Sequence, residues 1–301
     1  MMKDQGLMKI LVAVDGSDNA LKAINYLSRL SSFKKMELVL FTVYTRMPEY
    51  YWDMELQFDA EQRMLQEIKA FETKQKEMLN EFMQKARSIL MDSGFPERGL
   101  RIKMHERQIG IARDILKEAK RGYEAVVAGR KGMSKLEGLV LGSISTKLLE
   151  ALDFVPLILV GENPHPDKVL LAFDGSQAAM RAVDCVGSFL GGSGSEIALT
   201  HAIRSENEKY IEEDKKEMRA AFDKSKSHLI KEGFESSQLK IKMITGAASR
   251  ADALVQEANE EGYGTIVVGR RGLSRVQEFY MGRVSNKVIQ LVRNQAVWVV
   301  N

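Results

Sequence analysis

The sequence predicts an α/β protein built as two tandem copies of one domain, each a five-stranded parallel open sheet with helices on both faces. Three observations carry this expectation. The length of 301 residues suits two domains of ordinary size, each able to bury a core. Residues 9–27 (KILVAVDGSDNALKAINYL) align without a gap to 168–186 (KVLLAFDGSQAAMRAVDCV), and 122–160 align without a gap to 262–300, so the chain is a duplication. Short apolar runs alternate with longer stretches of helical period, the pattern of parallel strands joined by right-handed crossovers.

Residues 10–14 are nearly continuously apolar and end in Asp15-Gly16-Ser17, as expected of a central strand covered on both faces. Ser17 or Asp18 can cap the following helix, which runs through about residue 31. Residues 37–44 and 100–106 read as the second and third strands, and 125–128 and 157–160 as the fourth and fifth. Between the second and third strands lies a long helix over about 61–90, with Met64, Leu65, Ile68, Phe71, Met78, Leu79, Phe82 and Met83 at helical spacing. These apolar side chains read as core or interface contacts rather than a cofactor box, and the helix as a candidate partner surface. The second copy repeats the order with strands at 169–173, 196–202, 239–243, 265–268 and 297–300 and a shorter long helix over about 206–231.

The expected domains are 1–161 and 166–301, divided at the polar Gly161-Glu162-Asn163-Pro164-His165-Pro166 stretch, whose prolines stiffen the link. A net charge of +3 with acids and bases interleaved gives no basic block, so nucleic acid is not implied as a partner. No run approaches the roughly 20 apolar residues needed to cross a bilayer, so no membrane is implied either. The lone cysteine, Cys185, cannot form an internal disulfide and reads as an inert thiol on an apolar helix face, which fits a cytoplasmic location.

The informative constellation is Gly129-Arg130-Lys131-Gly132, nine residues, then Gly142-Ser143. Glycines at 129 and 132 let the backbone approach a ligand without a Cβ in the way. Gly142-Ser143 opens a helix whose unpaired N–H groups favour an anion, and Ser143 and Ser145 can add hydroxyl donors. Arg130 and Lys131 bring positive charge close by or point to solvent. The plainer reading is that these glycines end a strand and cap a helix. Asp15 likewise is either a turn former or a hydrogen-bond partner for a base or ribose. Gly191-Gly192-Ser193-Gly194 precedes a strand and so lies at the wrong end of a sheet for such a site. Neither a G-x-x-x-x-G-K-[ST] loop nor a strand-to-helix G-x-G-x-x-G is present.

At these residues the chain resembles the universal stress protein family, in its tandem-domain form, over nearly its whole length. The spacing of Gly129, Gly132, Gly142 and Ser143 matches that family's ATP-binding signature. The resemblance implies an adenine nucleotide alpha hydrolase-like fold. It also implies that Asp15 contacts the adenine or ribose side, that Val43 packs near the base, and that Gly129, Gly132, Gly142, Ser143 and Ser145 hold ribose and phosphates. ATP is the expected cofactor, with AMP or ADP as relatives of it, and Asp15 is the candidate magnesium contact. In the second copy Asp174, Gly269, Gly272, Gly282 and Ser285 keep the pattern, while Arg283 stands where Ser143 stands and Ala202 replaces Val43. Arg283 could fill the phosphate site or grip a phosphate, and weaker or absent nucleotide binding is expected there. The resemblance further implies that the terminal strands of the two copies pair within one chain, together with a homodimer. The expected function is a nucleotide-dependent regulator of the stress response. The alternatives are a slow ATPase or phosphotransferase, and a nucleotide-free scaffold acting through protein partners.

Overall fold

The computed structural model describes residues 7–46, 58–132, 141–272 and 281–301, with the side chains of 58–62, 64 and 65 also outside the description. The first copy runs β1 (Lys9–Ala13), α1 (Asp18–Arg29), β2 (Glu37–Tyr44), α2 (Phe58–Asp92), β3 (Leu100–Glu106), α3 (Ile111–Ala119), β4 (Ala125–Gly129), α4 (Ser143–Ala151) and β5 (Leu157–Val160). The second repeats it as β6 (Lys168–Ala172), α5 (Gln177–Leu190), β7 (Glu196–Ala202), α6 (Glu208–Lys231), β8 (Leu239–Ile244), α7 (Arg250–Glu260), β9 (Thr265–Gly269), α8 (Arg283–Leu291) and β10 (Ala296–Val300).

The strands form one ten-stranded sheet in the order β3-β2-β1-β4-β5-β10-β9-β6-β7-β8. Within each copy all pairings are parallel, and the two halves meet where β5 and β10 run antiparallel, with Ile158 opposite Trp298. Strand alternation explains the layering. Ile10 and Val12 of β1 pack into a cluster with α1, α2, α5 and α6. Leu11, between them, packs into a second cluster with α3, α4, α7 and α8 on the other face.

The first cluster is continuous across the two copies. Trp298 is fully buried, with ring centroids 6.2 Å from Phe33 and 5.9 Å from Phe189, both edge-on. Its indole N–H donates to the Tyr26 hydroxyl at 3.0 Å, and that hydroxyl lies 2.8 Å from the Thr265 hydroxyl. Phe33 belongs to a 3-10 turn at Ser31–Lys35, which is why α1 stops at Arg29 and not near residue 31.

Both copies start their first helix alike. Ser17 accepts the Ala20 N–H at 3.2 Å and Ser176 accepts that of Ala179 at 3.1 Å, so the serine and not Asp18 is the cap. In each copy the chain leaves the first strand in one direction and returns on its other side, so β1 and β4 flank a topological switch point, as do β6 and β9. Ligands of open α/β sheets bind outside the carboxyl ends of strands at such points.

Candidate nucleotide site

Asp15 leaves β1 at the switch point. Its Oδ1 accepts the Ser17 N–H at 3.0 Å, across Gly16, whose φ of 82° lies in the left-handed region that glycine tolerates. Gly132 lies directly against this carboxylate: a Cβ there would be 2.5 Å from Asp15 Oδ2. Gly129, at the end of β4, is held by backbone instead, since its Cβ would meet the Asn19 carbonyl oxygen of α1 at 2.9 Å. The loop closes where Gly142 donates its N–H to the Arg130 carbonyl at 2.8 Å. Gly142 is also the N-cap of α4 and offers no side chain to the orphan N–H groups of the first turn. Absent side chains and uncapped donors thus converge on one point beside Asp15.

These residues line one cavity of about 630 Å³, within the ~300–1,000 Å³ usual for small-molecule sites. Asp15, Val43, Gly129, Gly132, Gly142, Ser143, Ser145 and Lys131 all contribute to its wall. Two sequence expectations change. Ser145 lines the cavity, but its hydroxyl donates to the Gly129 carbonyl at 2.8 Å, so the proton expected for a phosphate already ties helix to strand. Ser285 repeats this toward Gly269 at 2.7 Å.

Arg130 does not line the cavity. It is 5% exposed, and its guanidinium crosses to the other copy, donating to the Ile289 carbonyl near the end of α8. Burial and the nearby Arg293 lower its pKa to about 10. Arg270 does the same in reverse, donating to the Leu149 and Leu152 carbonyls at the end of α4. Unpaired carbonyls at a helix C-terminus favour a cation, and the ten-stranded sheet brings each helix end to the opposite arginine. The arginine after the strand-end glycine is therefore an inter-domain contact and not a ligand contact.

Sequence reasoning missed the fourth wall. Phe71, Lys74, Gln75, Met78 and Leu79 of α2 line the cavity across from the sheet. Phe71 and Met78 are 59% and 62% exposed, so they are not core, whereas Met83 and Ile68 are buried. Met64 and Leu65 lie outside the described side chains. Lys76, 5.0 Å from the Tyr44 ring centroid, fastens α2 to the end of β2. Thr42 also lines the cavity, and its buried hydroxyl has no hydrogen-bond partner among the described residues.

The second copy keeps the backbone of the site. Asp174 Oδ1 accepts the Ser176 N–H at 3.0 Å, a Cβ on Gly272 would lie 2.5 Å from Asp174 Oδ2, and Gly282 donates to the Arg270 carbonyl at 2.8 Å. Gly269 faces α5, where its Cβ would meet Ala178 at 2.8 Å. Arg283 is the exposed first residue of α8, and Ala202 is buried.

Two titratable groups noted in the sequence lie outside the cavity wall. His105 stacks on Phe41 at 5.8 Å, away from the cavity wall. Burial pushes the Cys185 thiol up to about 12, so it is not a thiolate at neutral pH. Among the described residues no group of three or more His, Cys, Asp or Glu could hold a metal, and no helix is long and apolar enough to cross a membrane.

A duplicated five-stranded α/β domain, with a glycine-containing loop at each switch point, is a nucleotide-binding-like fold. The chain belongs to the universal stress protein family, whose model matches residues 6–160 and again 166–301. It is similar to the universal stress protein YxiE of Bacillus subtilis (strain 168), 28% identical over 138 residues, which cover 42% of this chain and 93% of the relative. Among solved structures it is similar to a universal stress protein from Archaeoglobus fulgidus DSM 4304, at a TM-score of 0.63 and 22% identity over 97% of each chain. A putative universal stress protein from Pseudomonas aeruginosa UCBPP-PA14 is similar at a TM-score of 0.59 and 18% identity, over 98% of this chain and 93% of the other.

Proposed function

We propose that the first copy binds ATP in the cavity between Asp15, the 129–132 loop and the start of α4, and that the protein acts as a nucleotide-dependent regulator of the stress response. One observation carries the reading. Gly132 and Gly142 leave a side-chain-free cradle against uncapped helix N–H groups, in a cavity whose described wall holds two lysines, Lys74 and Lys131, and one carboxylate. Phosphates supply the complementary charge. The apolar Val14, Val43 and Phe41 at the strand ends suit the faces of a base. ADP and AMP share these contacts in part.

The residues fit magnesium as a companion of the phosphates. The ion is typically held by one or two carboxylates together with phosphate oxygens, and Asp15 is the carboxylate at hand. It would neutralise phosphate charge there. A binding role is favoured over phosphoryl transfer because the described wall carries no histidine and no second carboxylate beside Asp15 to act as base for an attacking water.

The test is calorimetric titration of the full chain with ATP and magnesium. One saturable site per chain, lost in Gly132→Asp and kept in Gly272→Asp, is the expected result. Heat of binding that persists unchanged in Gly132→Asp contradicts the placement.

A further inference from the structure

We infer that α2 is a recognition wall for the first copy, in which Lys74 engages the anionic part of the ligand while Thr42 and Gln75 share its polar edge. This rests on the nucleotide reading and adds to it the element that separates the two copies.

The two long helices can be matched by geometry. A Cβ on Gly16 would lie 3.4 Å from Leu79 Cδ2, and a Cβ on Gly175 would lie 3.4 Å from Met218 Sδ. Both glycines are the middle residue of Asp-Gly-Ser, so Leu79 and Met218 hold one position. Further along, buried Met83 and Leu90 correspond to buried Phe222 and Leu229. On this match Lys74, Gln75 and Met78 correspond to Glu213, Asp214 and Glu217. The first copy presents one cation, an amide and a thioether where the second presents three acids. Against phosphates the first set attracts and the second repels.

The strand registers match the opposite side of the gap. Ala13 pairs with Phe41 and Ala172 with Thr200, so the next residues, Thr42 and His201, also correspond. His201 spans the gap in its copy: Nδ1 lies 2.8 Å from the Phe173 carbonyl and Nε2 lies 3.0 Å from Asp214 Oδ2. The second copy thus closes strand end to long helix with its own side chains. In the first copy the same two positions carry Thr42, too short to span as His201 does, and the uncharged amide of Gln75, both on the cavity wall, and the Thr42 hydroxyl is buried with no partner among the described residues. A buried hydroxyl left unsatisfied is costly, and a ligand edge that offers a donor or acceptor between Thr42 and Gln75 removes that cost. Exposed Phe71 and Met78 on the same wall gain cover from the same ligand.

The experiment compares ATP and adenosine binding to the full chain by titration calorimetry. Lys74 is exposed, so Lys74→Glu preserves the fold. It is expected to weaken ATP by at least about tenfold and adenosine by less than about twofold, as a charge effect requires. Transplanting the second copy's pair, Thr42→His with Gln75→Asp, is expected to weaken both ligands by at least about tenfold. Wild-type affinity for ATP in both variants overturns the inference and leaves the nucleotide reading standing. Equal loss of ATP and adenosine in Lys74→Glu overturns the role given to its charge. Absence of ATP binding in the unaltered chain overturns both readings together.

Discussion

Asp15 and Gly132 are fitted to each other: the carboxylate Oδ2 stands 2.5 Å from where a Cβ on residue 132 would be, and Asp174 and Gly272 repeat the relation at the same distance. The obstacle is the end of a side chain and not backbone, so a substitution at 132 displaces Asp15 before it strains the fold.

Gly132→Ala is therefore expected to fold with a Tm within a few degrees of the parent and to lose at least about tenfold in nucleotide affinity. Calorimetry and thermal melts of the same preparation check both halves. Gly272→Ala is the control and leaves first-copy affinity unchanged.

Gly129→Ala has the opposite balance. The Cβ meets the Asn19 backbone at 2.9 Å, and α1 cannot yield there without shifting against β4. The expected cost is ~1–3 kcal/mol of stability, the scale of overpacking, read from denaturant unfolding.

Arg130→Met separates an inter-domain contact from a ligand contact. The guanidinium donates to Ile289 in the other copy and does not line the cavity. Thermal stability is expected to fall while ATP affinity stays within about twofold of the parent. A large loss of affinity at unchanged stability would return Arg130 to the ligand.

Trp298→Ala removes the ring shared by Phe33 and Phe189 and the indole donor to Tyr26. The expected destabilisation is ~3–5 kcal/mol. Chemical unfolding followed by circular dichroism measures it.

Acid should reveal Asp114. Burial alone would raise its pKa, but the N–H groups of Gln108, Gly110 and Ile109 bond its carboxylate and hold the value below the ordinary one. A depressed folded-state pKa means stability that is fully present above the unfolded value of ~3.9 and lost as pH falls through the folded one. Asp114→Asn is expected to cost ~1–3 kcal/mol at neutral pH, with the gap from the parent narrowing below about pH 4. Melts over that range decide it.

The duplication, the parallel sheets and the glycine cradle were legible because each is written locally, in ungapped repeats, two-sided apolar strands and glycines at strand ends. Strand limits moved by about one residue, as at β1, which runs Lys9–Ala13. What stayed hidden depends on contacts distant in sequence. The direction of Arg130 follows from a helix end more than a hundred residues away. The hydroxyl of Ser145 is claimed by a carbonyl that its spacing alone does not reveal. Helical period placed Phe71 and Met78 on a stripe with Ile68, but the stripe runs from the core onto the cavity mouth, and period says nothing about what lies beneath each turn. Thr42 carried no signal until His201 in the other copy showed what the position can do.

The most direct test of the central claim is native mass spectrometry of the full chain with ATP and magnesium, beside Gly132→Asp and Gly272→Asp. The proposed site is expected to hold one ATP per chain, absent from Gly132→Asp and retained by Gly272→Asp. A chain that holds no nucleotide as ATP is raised, or a Gly132→Asp chain that still holds one, would contradict a nucleotide site in the first copy.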